Sequence, residues 1–265
     1  MSHPSFDADV RRVAHLMADA ARSVILPYFR GTDLDTQSKL TEGYDPVTVA
    51  DRAAEEAMRK ILALHRPNDA ILGEEYGHQT GTSGLTWVLD PIDGTRGFVS
   101  GTPTWGVLIA LSDADGPFYG IIDQPYIGER FEGAPDGALH TGPLGQQTLR
   151  TCAPRDLSEA IILTTFPEVG TQTDHDGFHA VAGKTQLTRY GMDCYGYALL
   201  AAGQVDLVIE AGLQSYDIQA PIAVIEAAGG IVTDWRGGPV HEGGRSLAAA
   251  NAEVHAQALE ILRKY

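Results

Sequence analysis

The chain of 265 residues is poor in cysteine, in basic residues and in long apolar runs. Its two cysteines, Cys152 and Cys194, show no metal-binding spacing and no disulfide framework, so a reduced, cytoplasmic setting is predicted. The first residues do not combine a basic segment with an apolar one, which argues against a signal peptide. No run approaches the length of a membrane span, so we expect no membrane partner.

The charge balance is strongly acidic. Lys and Arg number 19 against 35 Asp and Glu, which gives a formal net charge of −16. Such a surface repels the phosphates of nucleic acids, so no nucleic acid partner is expected. A phosphate substrate would be repelled as well, unless bound cations reverse the local field. The composition is therefore compatible with a metal-assisted site.

The most informative segment runs from Trp87 to Thr95, where an apolar run ends in Asp90 and Asp93, followed at once by Gly94. Grouped carboxylates at the end of a buried strand are costly without a partner, and Mg²⁺ prefers oxygen ligands. Gly94 permits a sharp turn that leaves N–H groups for a phosphate oxygen. The alternative is a capped turn, because Asp, Gly and Thr also form turns and helix caps.

Three further acids are candidates with ordinary alternatives. Glu74 follows the strand at 70–72 and could share an ion with Asp90, or could belong to a surface turn. Asp51 opens the second helix, where it could cap the helix or accept a hydrogen bond from a hydroxyl group. Asp217 stands just before a later helix, as an N-cap or as a metal ligand.

Asp193 and Glu210 form a second acidic pair, near a helix start and at a predicted strand end. Two acids near a phosphate site make sense if the rest of the substrate is cationic. The alternative is a helix cap and a surface acid. His175 and His179 are four residues apart, but a solvated helix face is the preferred interpretation because no third ligand is apparent.

The apolar periodicity separates two halves. Helices are predicted over 7–29 and over 50–65, the second with Ala53, Ala57, Ile61 and Leu64 inward, followed by strands at 69–73, 85–92, 105–112, 117–123 and 128–132. Alternating strands and helices from 161 to 263 indicate α/β layering. The Gly- and Pro-rich stretch 133–147 is interpreted as a boundary or crossover. We predict an N-terminal α+β domain over 1–140 with the metal motifs. A C-terminal α/β domain over 141–265 would carry the substrate-recognition residues and Asp217.

Taken in order, these motifs resemble the signature of the inositol monophosphatase superfamily over nearly the whole chain. They are Asp45 to Asp51, Gly73-Glu74-Glu75, Trp87 to Thr95 and Tyr216-Asp217. Gly94 to Gly101 and the segment around Asp193 are most similar to the histidinol-phosphatase branch. The resemblance implies a layered α-β-α-β-α sandwich of the α+β or α/β class. It also implies dependence on two or three Mg²⁺ ions per site, a homodimer and lithium sensitivity.

Residue roles follow from the same resemblance. Glu74, Asp90 and the Ile92 carbonyl would hold one ion, Asp90, Asp93 and Asp217 a second, and Glu74 would help to hold a third. Asp93, Gly94 and Thr95 would contact the substrate, the last two through backbone N–H groups directed at the phosphate. Thr95, backed by Asp51, and Glu74 would take up the proton of the attacking water. The segment between Lys39 and Asp51 is one residue longer than in inositol phosphatases, so Lys39 receives no role.

Asp193 separates the possible substrates. Inositol phosphatases usually carry alanine at this position, next to a neutral polyol, whereas an acid fits the amine of histidinol. Glu210 would also bind the substrate. We therefore predict a Mg²⁺-dependent phosphomonoesterase of histidine biosynthesis that hydrolyses L-histidinol phosphate to L-histidinol and phosphate. The alternatives are an inositol-1-monophosphatase, a broad-specificity phosphomonoesterase and, more remotely, an RNA-associated regulatory relative.

Overall fold

The computed structural model describes residues 3–31 and 49–265, together with the backbone of two short strands at 36–38 and 46–48. Lys39 lies outside the described residues. Within them, no helix combines the length and the apolar character that crossing a bilayer requires.

The described elements form two large sheets and seven helices. The helices are α1 (Ala8–Ile25), α2 (Val49–His65), α3 (Thr95–Ser100), α4 (Gln172–Ala182), α5 (Asp193–Ala201), α6 (Ser215–Ala227) and α7 (Ala252–Leu262). The strands are β1 (Thr36–Ser38), β2 (Pro46–Thr48), β3 (Ala70–Gly73), β4 (Gly77–Gln79), β5 (Thr86–Asp93), β6 (Gly106–Asp113), β7 (Gly116–Gln124), β8 (Glu129–Ala134), β9 (Gly137–Gly142), β10 (Gly145–Thr148), β11 (Ile161–Thr164), β12 (Leu187–Tyr190), β13 (Leu207–Leu213), β14 (Ile231–Asp234) and β15 (Gly244–Ala249).

The first sheet has eight strands in the order β10-β9-β8-β7-β6-β5-β3-β4, and only β3 and β5 pair in parallel. The second sheet has five strands in the order β12-β11-β13-β15-β14, with β11 parallel to both of its neighbours. The strands of the first half pair mainly as antiparallel neighbours, and the strand and helix alternation predicted for the second half is confirmed. Mixed sheets of this kind bury both faces under helices.

Three apolar cores fill the four interfaces between five layers, because the second core reaches both sheets around the middle helices. Helices α1 and α2 cover one face of the first sheet, α5 and α6 lie between the two sheets, and α4 and α7 cover the outer face of the second. Strand β6 illustrates how one sheet contributes to two cores, because successive side chains of a strand point to opposite faces. Val107, Ile109 and Leu111 enter the first core, whereas Leu108 and Ala110 enter the second. The predicted α-β-α-β-α sandwich is confirmed.

The start of α1 is explained by a capping side chain and its end by a proline. The Asp7 carboxylate caps α1 by accepting hydrogen bonds of 2.9 Å from the backbone N–H groups of Asp9 and Val10. The helix ends at Ile25 rather than at the predicted residue 29, because Pro27 has no N–H with which to continue the ladder.

The buried face of α2 is one residue away from the predicted one. Ala54, Met58 and Leu62 are buried, whereas Leu64 is 73% exposed. Apolar residues stand at helical spacing in both registers, so the pattern could not distinguish them. The register that the fold adopts also buries the carboxylates of Asp51 and Glu55.

The stretch 133–147 is not a crossover. It contains β9 and β10, which extend the first sheet to Thr148 at its edge. Gly137 and Gly145 stand at its hairpin turns and have positive φ. Since β9 spans the proposed limit at 140/141, the division into two domains stays a prediction.

Candidate active site

The parallel pairing of β3 and β5 brings Glu74 beside Asp90. Gly73 stands opposite Leu89 in the register, and the N–H of Glu74 donates to the Leu89 carbonyl at 3.2 Å. The carboxyl ends of parallel strands meet at one edge of a sheet, so both acids emerge side by side. A side-chain hydrogen bond links them.

The end of β5 turns sharply into α3. Its pairing with β6 shifts between Asp90 and Asp93, and Asp90 Oδ1 accepts a hydrogen bond of 3.0 Å from the Ile92 N–H. Gly94 follows with φ +80°, and a Cβ there would lie 2.7 Å from the Asp193 Cβ. The Thr95 hydroxyl then donates to the Ile92 carbonyl at 3.1 Å. Only glycine fits this turn.

Asp217 joins Asp90 and Asp93 from the other side. Carboxylate oxygens of these three residues lie within 4.8 Å of one another. Helix α6 begins at Ser215, so Asp217 is its third residue rather than the predicted N-cap, and its Oδ2 accepts from the Gln214 N–H at 2.7 Å. Capping and metal binding are thus not alternatives here, because the capping bond also orients the carboxylate.

A cavity of about 410 Å³ surrounds the three acids. Nearly all the predicted site residues line it: Glu74, Asp90, Ile92, Asp93, Gly94, Thr95, Asp193, Glu210 and Asp217. The exception is Asp51, which is buried in the first turn of α2 and does not belong to the lining. Its pairing with Thr95 stays a prediction.

Burial raises the pKa of Asp90 well above the ordinary carboxyl range, and the negative charges of Glu74, Asp93 and Asp217 raise it further. The pKa of Asp93 is raised chiefly by burial, then by Asp217, while a hydrogen bond from Cys194 opposes the shift. Carboxylates crowded in this way are stable at neutral pH only if cations or protons compensate them.

The donor set fits divalent cations of the Mg²⁺ type. The clustered ligands are carboxylate oxygens, and neither histidine nor thiolate belongs to the cluster found among the described residues. Hard cations prefer such oxygen ligands, and a bound cation would lower the raised pKa values. His175 and His179 lie on α4 with ring centroids 4.2 Å apart and are partly exposed, outside the acidic cluster, which agrees with the solvated face preferred from the sequence.

Asp193 and Glu210 face the same cavity, so the surface-acid interpretation of Glu210 is wrong. Glu210 is buried within β13, where the register of the pairing with β15 shifts, rather than at the end of the strand. Its carboxylate accepts hydrogen bonds from the N–H and the hydroxyl of Thr165 at 2.9 and 2.6 Å. Burial raises its pKa to about 7. Asp193 has φ +45°, accepts from the Thr104 hydroxyl at 2.7 Å, and has its pKa raised by burial.

Sequence reasoning missed Glu55, which organises the turn that carries Glu74. Its fully buried carboxylate accepts hydrogen bonds from the backbone N–H groups of Glu75 and Tyr76, at 2.7 and 3.2 Å, and from Arg59 Nε at 2.7 Å. A Cβ at Gly73 would lie 2.0 Å from Glu55 Oε1. The signal was present as an acid at helical spacing from Asp51, on a face that was assigned to solvent.

Comparisons with known proteins agree with this geometry. A model of the inositol monophosphatase family matches residues 7–265. The chain is 41% identical over 261 residues to the bifunctional phosphatase IMPL2 of Arabidopsis thaliana, covering 94% of this chain and 74% of that protein. It is 36% identical over 268 residues to a histidinol-phosphatase of Streptomyces coelicolor, with 97% of each covered. An inositol monophosphatase structure from Zymomonas mobilis superposes with a TM-score of 0.85 at 38% identity, covering 97% of this chain and 100% of that one.

Proposed function

This chain belongs to the inositol monophosphatase family, and from that premise we propose that it is a Mg²⁺-dependent phosphatase that hydrolyses L-histidinol phosphate to L-histidinol and phosphate in histidine biosynthesis. The observation that carries the proposal is that Asp193 and Glu210 line the same cavity as Asp90, Asp93 and Asp217. A phosphate site and a cation-binding site then lie within reach of one small substrate.

The charge of the cavity favours an amine on that substrate. Six carboxylates line it, and Arg96 is the only basic residue among the described lining residues. Two bound Mg²⁺ ions and Arg96 would supply five positive charges, and a third ion would raise this number to seven. The six carboxylates together with a phosphate dianion would carry about eight negative charges, so the site stays negative in either case. An ammonium group is therefore favoured electrostatically over a neutral polyol.

The residue roles are proposed as follows. One ion would be held by Glu74, Asp90 and the Ile92 carbonyl, a second by Asp90, Asp93 and Asp217, and a third, weaker ion with help from Glu74. Bound Mg²⁺ supplies Lewis-acid stabilisation of the charge on the transferring phosphoryl group.

The protein supplies orientation and proton transfer. The Gly94 and Thr95 N–H groups would bind the phosphate, with Asp93 beside them. While the Thr95 hydroxyl donates to Ile92, its lone pairs can accept a hydrogen bond from the attacking water. Passing the proton to Asp51 requires the hydroxyl to turn away from Ile92, and Glu74 offers a second acceptor beside it.

An inositol-1-monophosphatase or a less selective phosphomonoesterase is the competing proposal. The chain is 34% identical to an inositol-1-monophosphatase of Caulobacter vibrioides over 92% of this chain and 96% of that protein. Asp193 argues for the amine-bearing substrate, because its partly buried carboxylate would form a charge-assisted hydrogen bond with an ammonium group but only an ordinary one with a hydroxyl group of a neutral polyol. On the family resemblance we also propose a homodimer, lithium sensitivity and a cytoplasmic location.

The test compares kcat/KM for histidinol phosphate and inositol 1-phosphate in the wild type and in Asp193→Asn. Asparagine tolerates the left-handed backbone and keeps an acceptor for Thr104, so the variant removes mainly the charge. We expect the wild type to prefer histidinol phosphate, and the variant to lose about ten- to a hundredfold on that substrate alone. A wild type that prefers inositol 1-phosphate, or equal losses on both substrates, would contradict the proposal.

A further inference from the structure

Phe166 is an exposed aromatic ring in the wall of the active-site cavity. It follows β11 directly after Thr165, the residue that holds the Glu210 carboxylate through two hydrogen bonds. Its ring lines the cavity and is 43% exposed. A large apolar side chain left open to solvent at a binding cavity is a common feature of ligand contact surfaces.

Arg96, which comes from a different element of the cavity lining, contacts this ring. Its guanidinium carbon lies 4.9 Å from the centroid of the Phe166 ring, a cation–π geometry. Arg96 is the second residue of α3, directly after the metal-binding turn, whereas Phe166 follows a strand of the second sheet. The contact therefore joins the two walls of the cavity and restricts the orientation of the ring.

The cavity lining contains further apolar side chains. Val169 lines the cavity and its N–H donates to the Phe166 carbonyl at 3.2 Å, and Leu213 and Tyr216 belong to the same lining. Carboxylates would hold the phosphate-bound ions and the amine. Phe166, Leu213 and Tyr216, which are at least partly exposed, instead offer an apolar surface for a part of the substrate that carries no charge, and the buried Val169 lies behind that surface.

We propose that Phe166 is a specificity-determining residue that packs against a planar ring in the substrate, beyond the phosphate and the amine. This inference rests on the proposed function and adds that the site recognises the planar ring of an amino-alcohol phosphate in addition to its phosphate and its amine. Arg96 is a positioning residue in this arrangement, because it acts on the substrate through the Phe166 ring.

The experiment compares Phe166→Leu with the wild type on four phosphomonoesters: histidinol phosphate, phenylalaninol phosphate, O-phosphoethanolamine and glycerol 2-phosphate. Leucine keeps an apolar side chain but removes the planar face. We expect kcat/KM to fall about three- to tenfold on the two ring-bearing substrates, the range of a lost aromatic contact, and to stay within about twofold on the other two. Saturation by Mg²⁺ should be unchanged, because Phe166 is not among the proposed metal ligands.

A matched control is Tyr126→Leu. Tyr126 is 49% exposed and lies under the Arg30 guanidinium at 4.6 Å, but it does not belong to the cavity lining. This control should leave all four rates unchanged. Equal losses on ring-bearing and ringless substrates in Phe166→Leu, or no loss on any of them, would overturn the inference.

The panel also separates this inference from the proposed function. The comparison of histidinol phosphate with inositol 1-phosphate tests the proposed function, which is contradicted if the wild type fails to prefer histidinol phosphate. The role of Phe166 is tested by a different quantity, the ratio of kcat/KM for phenylalaninol phosphate to kcat/KM for O-phosphoethanolamine, measured within each enzyme. If that ratio is the same in Phe166→Leu and in the wild type, the role of Phe166 is wrong even when histidinol phosphate is the preferred substrate.

Discussion

The carboxylate of Asp93 accepts a hydrogen bond of 2.7 Å from the backbone N–H of Cys194. Asp93 ends β5 in the first sheet, whereas Cys194 stands in the first turn of α5, directly after Asp193. A proposed metal ligand and a proposed substrate acid are therefore tied together by one bond. The first turn of a helix favours negative charge, which partly offsets the burial of Asp93.

Asp93→Asn should abolish most activity and retain the fold. Asparagine preserves an acceptor for the Cys194 N–H but removes the ligand charge, so we expect kcat/KM to fall about 10²- to 10⁴-fold at saturating Mg²⁺. In EDTA at neutral pH the variant should melt no lower than the wild type, because it relieves repulsion with Asp217. Asp206→Asn, a buried acid outside the cavity lining, serves as control and should affect the melting temperature rather than kcat. Wild-type activity in Asp93→Asn would contradict the ligand role.

Mg²⁺ should stabilise the protein, and more strongly at higher pH. The pKa values of Asp90 and Asp93 are raised in the folded state, so the folded metal-free protein binds more protons than the unfolded chain. Its free energy of unfolding therefore falls as pH rises above the ordinary carboxyl range. Bound Mg²⁺ replaces those protons and removes this loss.

Calorimetry or a thermal-shift assay with EDTA or with saturating MgCl₂ measures the effect. At about a hundred times Kd the gain is about 2.7 kcal/mol, which corresponds to roughly 5–10 °C in a chain of this size. The Mg²⁺-dependent shift should be larger at about pH 8 than at about pH 5.5. Asp217→Asn should reduce it. A shift that is independent of pH would show that these carboxylates do not change protonation on binding the metal.

The acids of the site were largely predictable, because they stand at the ends of strands, in a turn or at the start of a helix, and these positions can be recognised in the sequence. Asp90 and Glu74 follow apolar strands, and strand ends in a layered fold meet at one edge. Asp93 and Gly94 belong to a turn whose chemistry depends on neighbouring residues alone. The location of Asp217 could be predicted from the start of a helix alone, although the helix begins at Ser215 and Asp217 is its third residue.

The features that were not predicted, one residue and one backbone conformation, depend on contacts between distant segments. Glu55 acquires its role from a turn about 20 residues later, and the ambiguous register of α2 concealed its buried face. The left-handed backbone of Asp193 and its bond to Thr104 arise from packing against Gly94 and Gly97. Nothing in the local sequence of these residues indicates such contacts.

Glu55→Gln should weaken Mg²⁺ binding with little change in kcat at saturating Mg²⁺. The amide offers one acceptor where the carboxylate offers two, so the backbone N–H of Glu75 or Tyr76 loses its partner and the turn that carries Glu74 loosens. Groups that orient metal ligands typically contribute about 10- to 100-fold in metal affinity. The measurement is the Mg²⁺ concentration for half-maximal activity. Glu132→Gln, which breaks another buried acid's pairing with Arg11, is the matched control and should leave this value unchanged. A loss of kcat with unaltered Mg²⁺ dependence would contradict a positioning role.

Glu210 should make amine recognition dependent on pH. Burial raises its pKa to about 7, so the residue is largely neutral in mild acid and charged in mild base. The charged form attracts an ammonium group, so preference for an amine should increase as pH rises through this range. Cations bound at the neighbouring acids would favour the charged form of Glu210, so the midpoint of its titration should lie at or below about pH 7. The measurement is the ratio of kcat/KM for O-phosphoethanolamine and glycerol 2-phosphate between about pH 5.5 and pH 8, since in this ratio the titration of the phosphate, with a pKa near 6, largely cancels.

The expected change in that ratio is about three- to tenfold in the wild type, and it should vanish in Glu210→Gln, which keeps an acceptor for the Thr165 N–H. Asp193→Asn, in contrast, should lower this kcat/KM ratio at every pH but preserve the way in which the ratio changes with pH. A flat profile in the wild type would show that Glu210 is charged throughout or lies beyond reach of the amine. A slope that persists in Glu210→Gln would assign the titration to another group.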